Sequence, residues 1–165
     1  MRVVTRRVLL GGLLMVLAGC SSKFRSYKGP RVTRVLVFKK QRRMYLMHNR
    51  KILRTYNIGL GFAPVGDKMV EGDGKTPEGL YYIDRRNPNS DFHLSLGINY
   101  PNSRDIEEAK KLGKKPGGDI FIHGRGHLYD ALVRDWTWGC IAVTNDEIEE
   151  IYAMVRDGTP VAIHK

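Results

Sequence analysis

From residue 32 onward, apolar positions alternate with polar ones or run together in short stretches, separated by basic, Gly-bearing or Pro-bearing breaks. Val32-Thr33-Arg34-Val35-Leu36-Val37-Phe38 mixes both patterns and is interrupted by Lys39-Lys40-Gln41-Arg42. Met44-Tyr45-Leu46-Met47 follows, and Asn49-Arg50 turns the chain into Ile52-Leu53-Arg54-Thr55-Tyr56-Asn57-Ile58. These stretches predict three strands with tight connections, hence a meander. Residues 59–79 hold six glycines and two prolines and predict a long loop. Further strands are predicted over residues 80–84, 92–98, 119–123 and 161–163. Residues 105–112 predict a short helix that Gly113 stops. Thr144-Asn145-Asp146-Glu147 has the form of a capping box. Behind it Ile148, Ile151, Tyr152 and Val155 recur at i, i+3, i+4 and i+7, the stripe of a helix packed on one face, with Gly158 and Pro160 to end it. No internal repeat is present. The predicted class is α+β, strand-dominated, with one main helix.

The first 31 residues break this pattern. Arg2, Arg6 and Arg7 precede an apolar run over residues 8–17, too short for the ~20 residues that a spanning helix needs. Ala18 and Gly19 then lead into Cys20. Residues 1–19 therefore predict an export signal, and Leu17-Ala18-Gly19-Cys20 resembles a bacterial lipobox, in which the cysteine is lipidated and becomes the mature N-terminus. Thr5-Arg6-Arg7-Val8-Leu9-Leu10 touches the twin-arginine pattern, so either export route is open. Ser21 and Ser22 after the cysteine point to the outer membrane. Residues 20–31, polar, basic and broken by Gly29-Pro30, predict a lipid-anchored tether to a domain over residues 32–164.

Charge and cysteine content sharpen this picture. The chain carries 28 Lys and Arg against 17 Asp and Glu, net +11, over 165 residues. Loss of residues 1–19 removes three arginines and no acid, leaving +8. Lys39, Lys40, Arg42 and Arg43, and later Lys110, Lys111, Lys114 and Lys115, are expected on solvated faces, where they can lean on anionic envelope polymers. Export and the lack of a recognised motif argue against a nucleic-acid partner. With two cysteines in all and Cys20 lipidated, Cys140 is left as a lone thiol in an oxidising compartment, unable to pair within the chain. It is either a buried small hydrophobe or a nucleophile.

His123-Gly124 ends one predicted strand, and Thr137-Trp138-Gly139-Cys140 follows after a loop. A thiol attacks as thiolate and needs a nearby base, which a strand-end histidine projecting into the same cleft can supply. Backbone N–H groups around Gly124, Trp138 and Gly139 are candidate oxyanion donors. Zinc held by His123, His127 and Cys140 is the rival reading. It is disfavoured because H-x-x-x-H suits a helix, whereas here it follows a strand and contains Gly124 and Gly126. No metal and no cofactor are expected. Arg125, Arg134 and Asp135 flank the loop before Cys140, either to bind substrate carboxylates or to face solvent.

Ile122-His123-Gly124, followed by the run from Thr137 to Tyr152, resembles the catalytic segment of the L,D-transpeptidases, the YkuD-type domains. The opening strands, the segment G-D-G-K-T-P-E-G at 72–79 and I-N-Y-P-N at 98–102 extend the resemblance over residues 32–164. It implies a mixed β-sheet fold with Cys140 as nucleophile and His123 as proton donor and acceptor, oriented by a backbone carbonyl. It also implies a peptidoglycan stem tetrapeptide as partner, cleaved at its third residue with release of D-Ala and transfer of the acyl group to an amine. Three features depart from the family pattern. Trp138 stands where many members have a second histidine, Ala142 replaces the usual Arg or Asn, and the spacing from His123 to Thr137 is slightly short. Related chains with G-C-x-A include hydrolases, so hydrolysis of peptidoglycan or of lipoprotein–peptidoglycan links is the alternative, followed by a non-catalytic peptidoglycan-binding lipoprotein.

Overall fold

The apolar stretches assemble into one eight-stranded sheet in a computed structural model that describes residues 22–126 and 134–165. The opening meander forms as expected. β1 (Arg34–Phe38), β2 (Arg43–His48) and β3 (Lys51–Asn57) pair antiparallel in sequence order. The C-terminal strand β8 (Pro160–His164) then inserts between β1, to which it is parallel, and β4 (Gly79–Asn87), to which it is antiparallel. β5 (Ser95–Ile98) and β6 (Phe121–His123) continue antiparallel, and β7 (Ile141–Ala142) adds parallel to β6 at the far edge.

The two edges do not stay apart. Directly after β3, Gly59 exchanges two backbone hydrogen bonds with Ala142 of β7, at 2.8 and 2.9 Å. Phe62 N–H donates to the Thr137 carbonyl at 2.9 Å, and Thr137 N–H to the Leu60 carbonyl at 3.2 Å. The sheet therefore curls until the start of the glycine-rich loop lies against the segment carrying Cys140. Glycine is required at 59 by space, since a Cβ there would stand 2.1 Å from the Arg134 carbonyl oxygen. Loop 59–79 thus serves as the seam of the curled sheet.

Inside the curl lies one apolar core, to which Val35, Leu46, Leu96, Ile122, Ile141 and Val161 each contribute a fully buried side chain. α2 (Asn145–Met154) packs against β5 and β6 through Ile148, Ile151 and Met154. Its capping box forms as the sequence predicts, with Thr144 and Glu147 satisfying each other's backbone N–H. Val155 caps the helix in an extended conformation and is buried beyond its end. α1 (Ser103–Lys111) starts two residues earlier than predicted because Asn102 and Asp105 form a capping box of their own.

Several expectations need correction. β4 runs on to Asn87, because its polar half from Arg85 onward pairs with β5, a long-range contact that periodicity does not report. β5 begins only at Ser95, since His93 adopts a positive φ of 77° that breaks the extended run. Lys39 is not on a solvated face. It is 2% exposed, and its ammonium donates to the Gly66 carbonyl, the Thr76 carbonyl at 2.7 Å and the Glu78 carboxylate at 2.9 Å, fastening the glycine-rich loop. Arg42 from the same basic run pairs with Asp135 at 2.8 Å. Residues 22–27 carry contacts to the domain: Lys23 donates to the Pro88 carbonyl at 2.6 Å, and Arg25 pairs with Glu149 at 2.9 Å. The expected signal, Cys20 and His127 lie outside the described residues.

Candidate active site

Strand register brings His123 and Cys140 together. Parallel pairing sets Ile122 opposite Ile141 and His123 opposite Ala142. Side chains alternate across a strand, so Ile122 and Ile141 enter the core while Phe121 and His123 face the other way. One step before Ile141, Cys140 falls beside Phe121 on that same face, and Phe121 N–H donates to its Sγ at 3.4 Å. His123 and Cys140 line one cavity of about 280 Å³, with Phe92, Ser95 and Asp119 among its walls.

The imidazole is held in one tautomer. Nδ1–H donates to the Gly124 carbonyl at 2.5 Å, which leaves Nε2 as the nitrogen with a free lone pair. Phe92 lies 4.5 Å from the ring at 33°, and Trp136 meets it edge-on at 5.6 Å. This packing leaves His123 only 2% exposed, and burial lowers its pKa to about 4. The histidine is therefore neutral at physiological pH. Its protonation stays suppressed in the folded state, whereas the unfolded chain takes up the proton at its ordinary value near 6.5. Between pH 6.5 and 4 the unfolded state binds more protons, so acidification across that window is expected to destabilise the fold, by about 3 kcal/mol when complete. Chemical denaturation of the wild type and of His123→Gln at pH 7 and pH 4 checks this. The acid-induced loss should shrink in the variant.

Cys140 is also uncharged at rest. Burial pushes its thiol up, with the Asp119 charge adding to this and the Phe121 N–H opposing it. The thiol donates to the Asp119 carbonyl at 3.4 Å. A neutral thiol and a neutral imidazole therefore line the same cavity.

Thr137 and Gly139 set the turn that presents the thiol. Thr137 Oγ1 donates to the Cys140 carbonyl at 2.7 Å and accepts from Gly139 N–H at 3.2 Å. Gly139 has φ +129°, and a Cβ there would stand 2.5 Å from the Lys75 carbonyl. Gly139→Ala is expected to cost about 1–3 kcal/mol and to displace Cys140. A lowered Tm together with a changed rate of Cys140 alkylation at pH 7 reads both effects.

The remaining candidates are placed as follows. Gly124 N–H donates to the Leu94 carbonyl at 3.3 Å, and its carbonyl orients His123. Trp138 is 70% exposed and meets Phe62 edge-on at 4.8 Å, outside the cavity. Arg125 and Arg134 line a separate cavity, while Asp135 is engaged by Arg42 and by Leu60 N–H. Among the described residues, no group of three or more His, Cys, Asp or Glu side chains is placed to hold a metal ion. Sequence reasoning missed Phe92, Trp136 and Asn145. Asn145 Oδ1 accepts from Arg125 N–H at 2.9 Å and Gly126 N–H at 3.0 Å, anchoring the segment behind His123 to the start of α2. The capping box marks position 145 as a helix start, but nothing local reveals its partner.

A family model described as the L,D-transpeptidase catalytic domain, YkuD, matches residues 32–163. The chain belongs to the YkuD family. The chain is also similar to individual proteins and solved structures. YafK of Escherichia coli K12 is 29% identical over 127 residues, covering 73% of this chain and 46% of that one. The structure of the helical cell shape determining protein Pgp2 from Campylobacter jejuni is 33% identical with a TM-score of 0.62, over 84% of this chain and 50% of that one. Bd1075 of Bdellovibrio bacteriovorus is 28% identical with a TM-score of 0.57, over 81% of this chain and 48% of that one. The chain thus spans about half the length of these relatives. Mycobacterium tuberculosis L,D-transpeptidase 1, at 13% identity and a TM-score of 0.53 over 81% of this chain and 62% of that one, shares the fold. A curled, strand-dominated sheet with two helices is accordingly the YkuD fold in this chain.

Proposed function

We propose that this YkuD domain is a peptidoglycan L,D-transpeptidase that forms a thioester on Cys140. The observation that carries the reading is the single cavity lined by both a tautomer-locked, neutral His123 and the Cys140 thiol. Sγ attacks the carbonyl carbon of the third residue of a stem tetrapeptide while His123 Nε2 accepts the thiol proton. The tetrahedral intermediate then collapses: the carbon–nitrogen bond to D-Ala breaks, and His123 returns the proton to the departing amine. An incoming amine next attacks the thioester and loses its proton to Nε2, and the thiol leaves with that proton. Gly139 N–H and Gly124 N–H are already directed at Thr137 Oγ1 and the Leu94 carbonyl, so a role for either as an oxyanion donor requires rearrangement on acylation. Cys20 is the lipid attachment site under this proposal. It anchors the domain in the envelope facing the periplasm, at the outer membrane, in a role in wall remodelling and cell shape.

Incubating the full-length chain with purified disaccharide-tetrapeptides and separating the products by mass spectrometry tests the reaction. Cross-linked dimers with free D-Ala are expected. Tripeptides with free D-Ala and no dimers would identify a hydrolase, with water as acceptor. No product would contradict the proposed substrate.

A further inference from the structure

Residues 22–27, expected to be part of a tether, are strapped to the domain. Lys23 Nζ donates to the Pro88 carbonyl at 2.6 Å and to the His93 carbonyl at 3.2 Å, so one ammonium ties together both ends of the loop between β4 and β5. Arg25 Nε donates to Glu149 Oε2 at 2.9 Å, while the other oxygen of that carboxylate accepts from His93 Nε2 at 2.7 Å. Glu149 of α2 is therefore shared between the N-terminal segment and the loop. Phe24 meets Tyr152 of α2 at 6.3 Å, and Tyr27 packs against the core.

The strapped loop is one wall of the active-site cavity. Ser90, Asp91 and Phe92 line that cavity together with His123 and Cys140, and the Phe92 ring lies 4.5 Å from the imidazole. The inner side of the loop rests on the segment after His123. A Cβ at Gly124 would stand 2.8 Å from the Phe92 carbonyl oxygen, and one at Gly126 2.4 Å from that of Asp91. Within the loop the bonds are local: Asn89 N–H donates to Asn87 Oδ1 at 2.9 Å, Phe92 N–H to Ser90 Oγ at 3.2 Å and Leu94 N–H to the Phe92 carbonyl at 3.0 Å. Such bonds shape the turns but do not press the loop onto its neighbours. Lys23 clasps it from outside, and Glu149 holds its His93 end.

We infer that Lys23 and Arg25 are positioning residues for His123: by fastening the N-terminal segment to the β4–β5 loop and to α2, they hold the Phe92 ring against the imidazole. Both use charged donors, which make the stronger kind of hydrogen bond, and the Glu149 side chain they reach through Arg25 is only 15% exposed. Burial is the main cause of the lowered His123 pKa, so water admitted beside a displaced Phe92 raises it. Among the described residues, Asp91, Asp119 and Cys140 share the cavity with the imidazole, and the Arg125 charge adds to the lowering. On α2, which packs against β6, Glu149 is turned to Arg25 and His93, Asp146 to Arg25, and Glu147 to the helix cap. The inference rests on the proposed thioester chemistry for what a neutral His123 is worth, but its test reads the imidazole itself.

The full-length chain, isotope-labelled at histidine, can be titrated by NMR, with His123→Gln to assign the His123 signal. The parent is expected to show His123 titrating at about 4. Lys23→Met combined with Arg25→Met should raise its proton affinity at least about tenfold, to a midpoint of about pH 5 or above, and Lys23→Met alone should move it part of the way. Lys23→Arg combined with Arg25→Lys keeps charged donors in place and should stay within about threefold of the parent. A methionine double variant whose Tm falls while the His123 midpoint stays put would overturn the inference, because the strap would then stabilise the fold without acting on the histidine. A midpoint near 6.5 in the parent, or one raised equally by the conservative pair, would overturn it as well. Turnover of a disaccharide-tetrapeptide by the unsubstituted chain separates the two claims. A strap-dependent midpoint without products leaves the positioning role standing and contradicts the reaction. Products with a midpoint indifferent to the strap contradict the positioning role alone.

Discussion

Replacing Cys140 with alanine is expected to lower turnover of a stem tetrapeptide at least about 1,000-fold while leaving the fold intact. Among the described residues that line the cavity, Cys140 is the one thiol, and without it His123 has no proton to accept. Loss of stability should be small, because the two hydrogen bonds of Sγ among the described residues, to Phe121 N–H and the Asp119 carbonyl, are both long at 3.4 Å. The Tm of the variant should therefore stay within a few degrees of the parent, for a stability change below about 1 kcal/mol. Serine is the more discriminating replacement. It keeps the size of the side chain but offers a poorer nucleophile and leaving group, so Cys140→Ser should fall nearly as far as Cys140→Ala. Residual activity in either variant close to wild type would contradict the assignment.

His123 carries the second large effect. A general base contributes about 100- to 10,000-fold, and His123→Gln should lose that much in kcat with little change in KM, because its contribution arises as the proton moves. Glutamine is preferred to alanine here, since it fills more of the slot between Phe92 and Trp136. The pH profile gives a sharper signature than the mutation alone. With the imidazole titrating at about 4 and the thiol raised by burial, the active neutral pair is fully populated between about pH 5 and 8. The profile of kcat/KM for the wild type should be flat across that range. An inflection near pH 6.5 would instead indicate a solvated histidine or a resting thiolate–imidazolium pair.

Much of the scaffold is legible in the sequence because its determinants are local. The meander follows from alternation broken by Lys39–Arg42 and Asn49-Arg50, and the start of α2 follows from Thr144 and Glu147. The resemblance in the Cys140 segment extended this to the family. Features set by pairing between distant segments are hidden. β7 is two residues long, too short for any periodicity to register, and exists because β6 lies beside it and Gly59 closes on it. Lys39 looks like part of a solvated basic run, yet three acceptors from a loop 27 to 39 positions away surround its ammonium. Periodicity puts Phe92 inside a strand, whereas the positive φ of its neighbour His93 delays that strand to Ser95 and leaves the Phe92 ring over His123. The sequence singles out His123 and Cys140, which the fold brings to one cavity, but the aromatic slot that keeps the imidazole neutral depends on tertiary packing.

Intact-protein mass spectrometry of the full-length chain, quenched in acid shortly after mixing with a disaccharide-tetrapeptide, tests the central claim most directly. The account predicts an adduct equal to the substrate less one D-Ala, mapped to Cys140 by proteolysis and removed by hydroxylamine as a thioester should be. D-Ala release without any adduct on Cys140, or the same adduct on the Cys140→Ala chain, would contradict it.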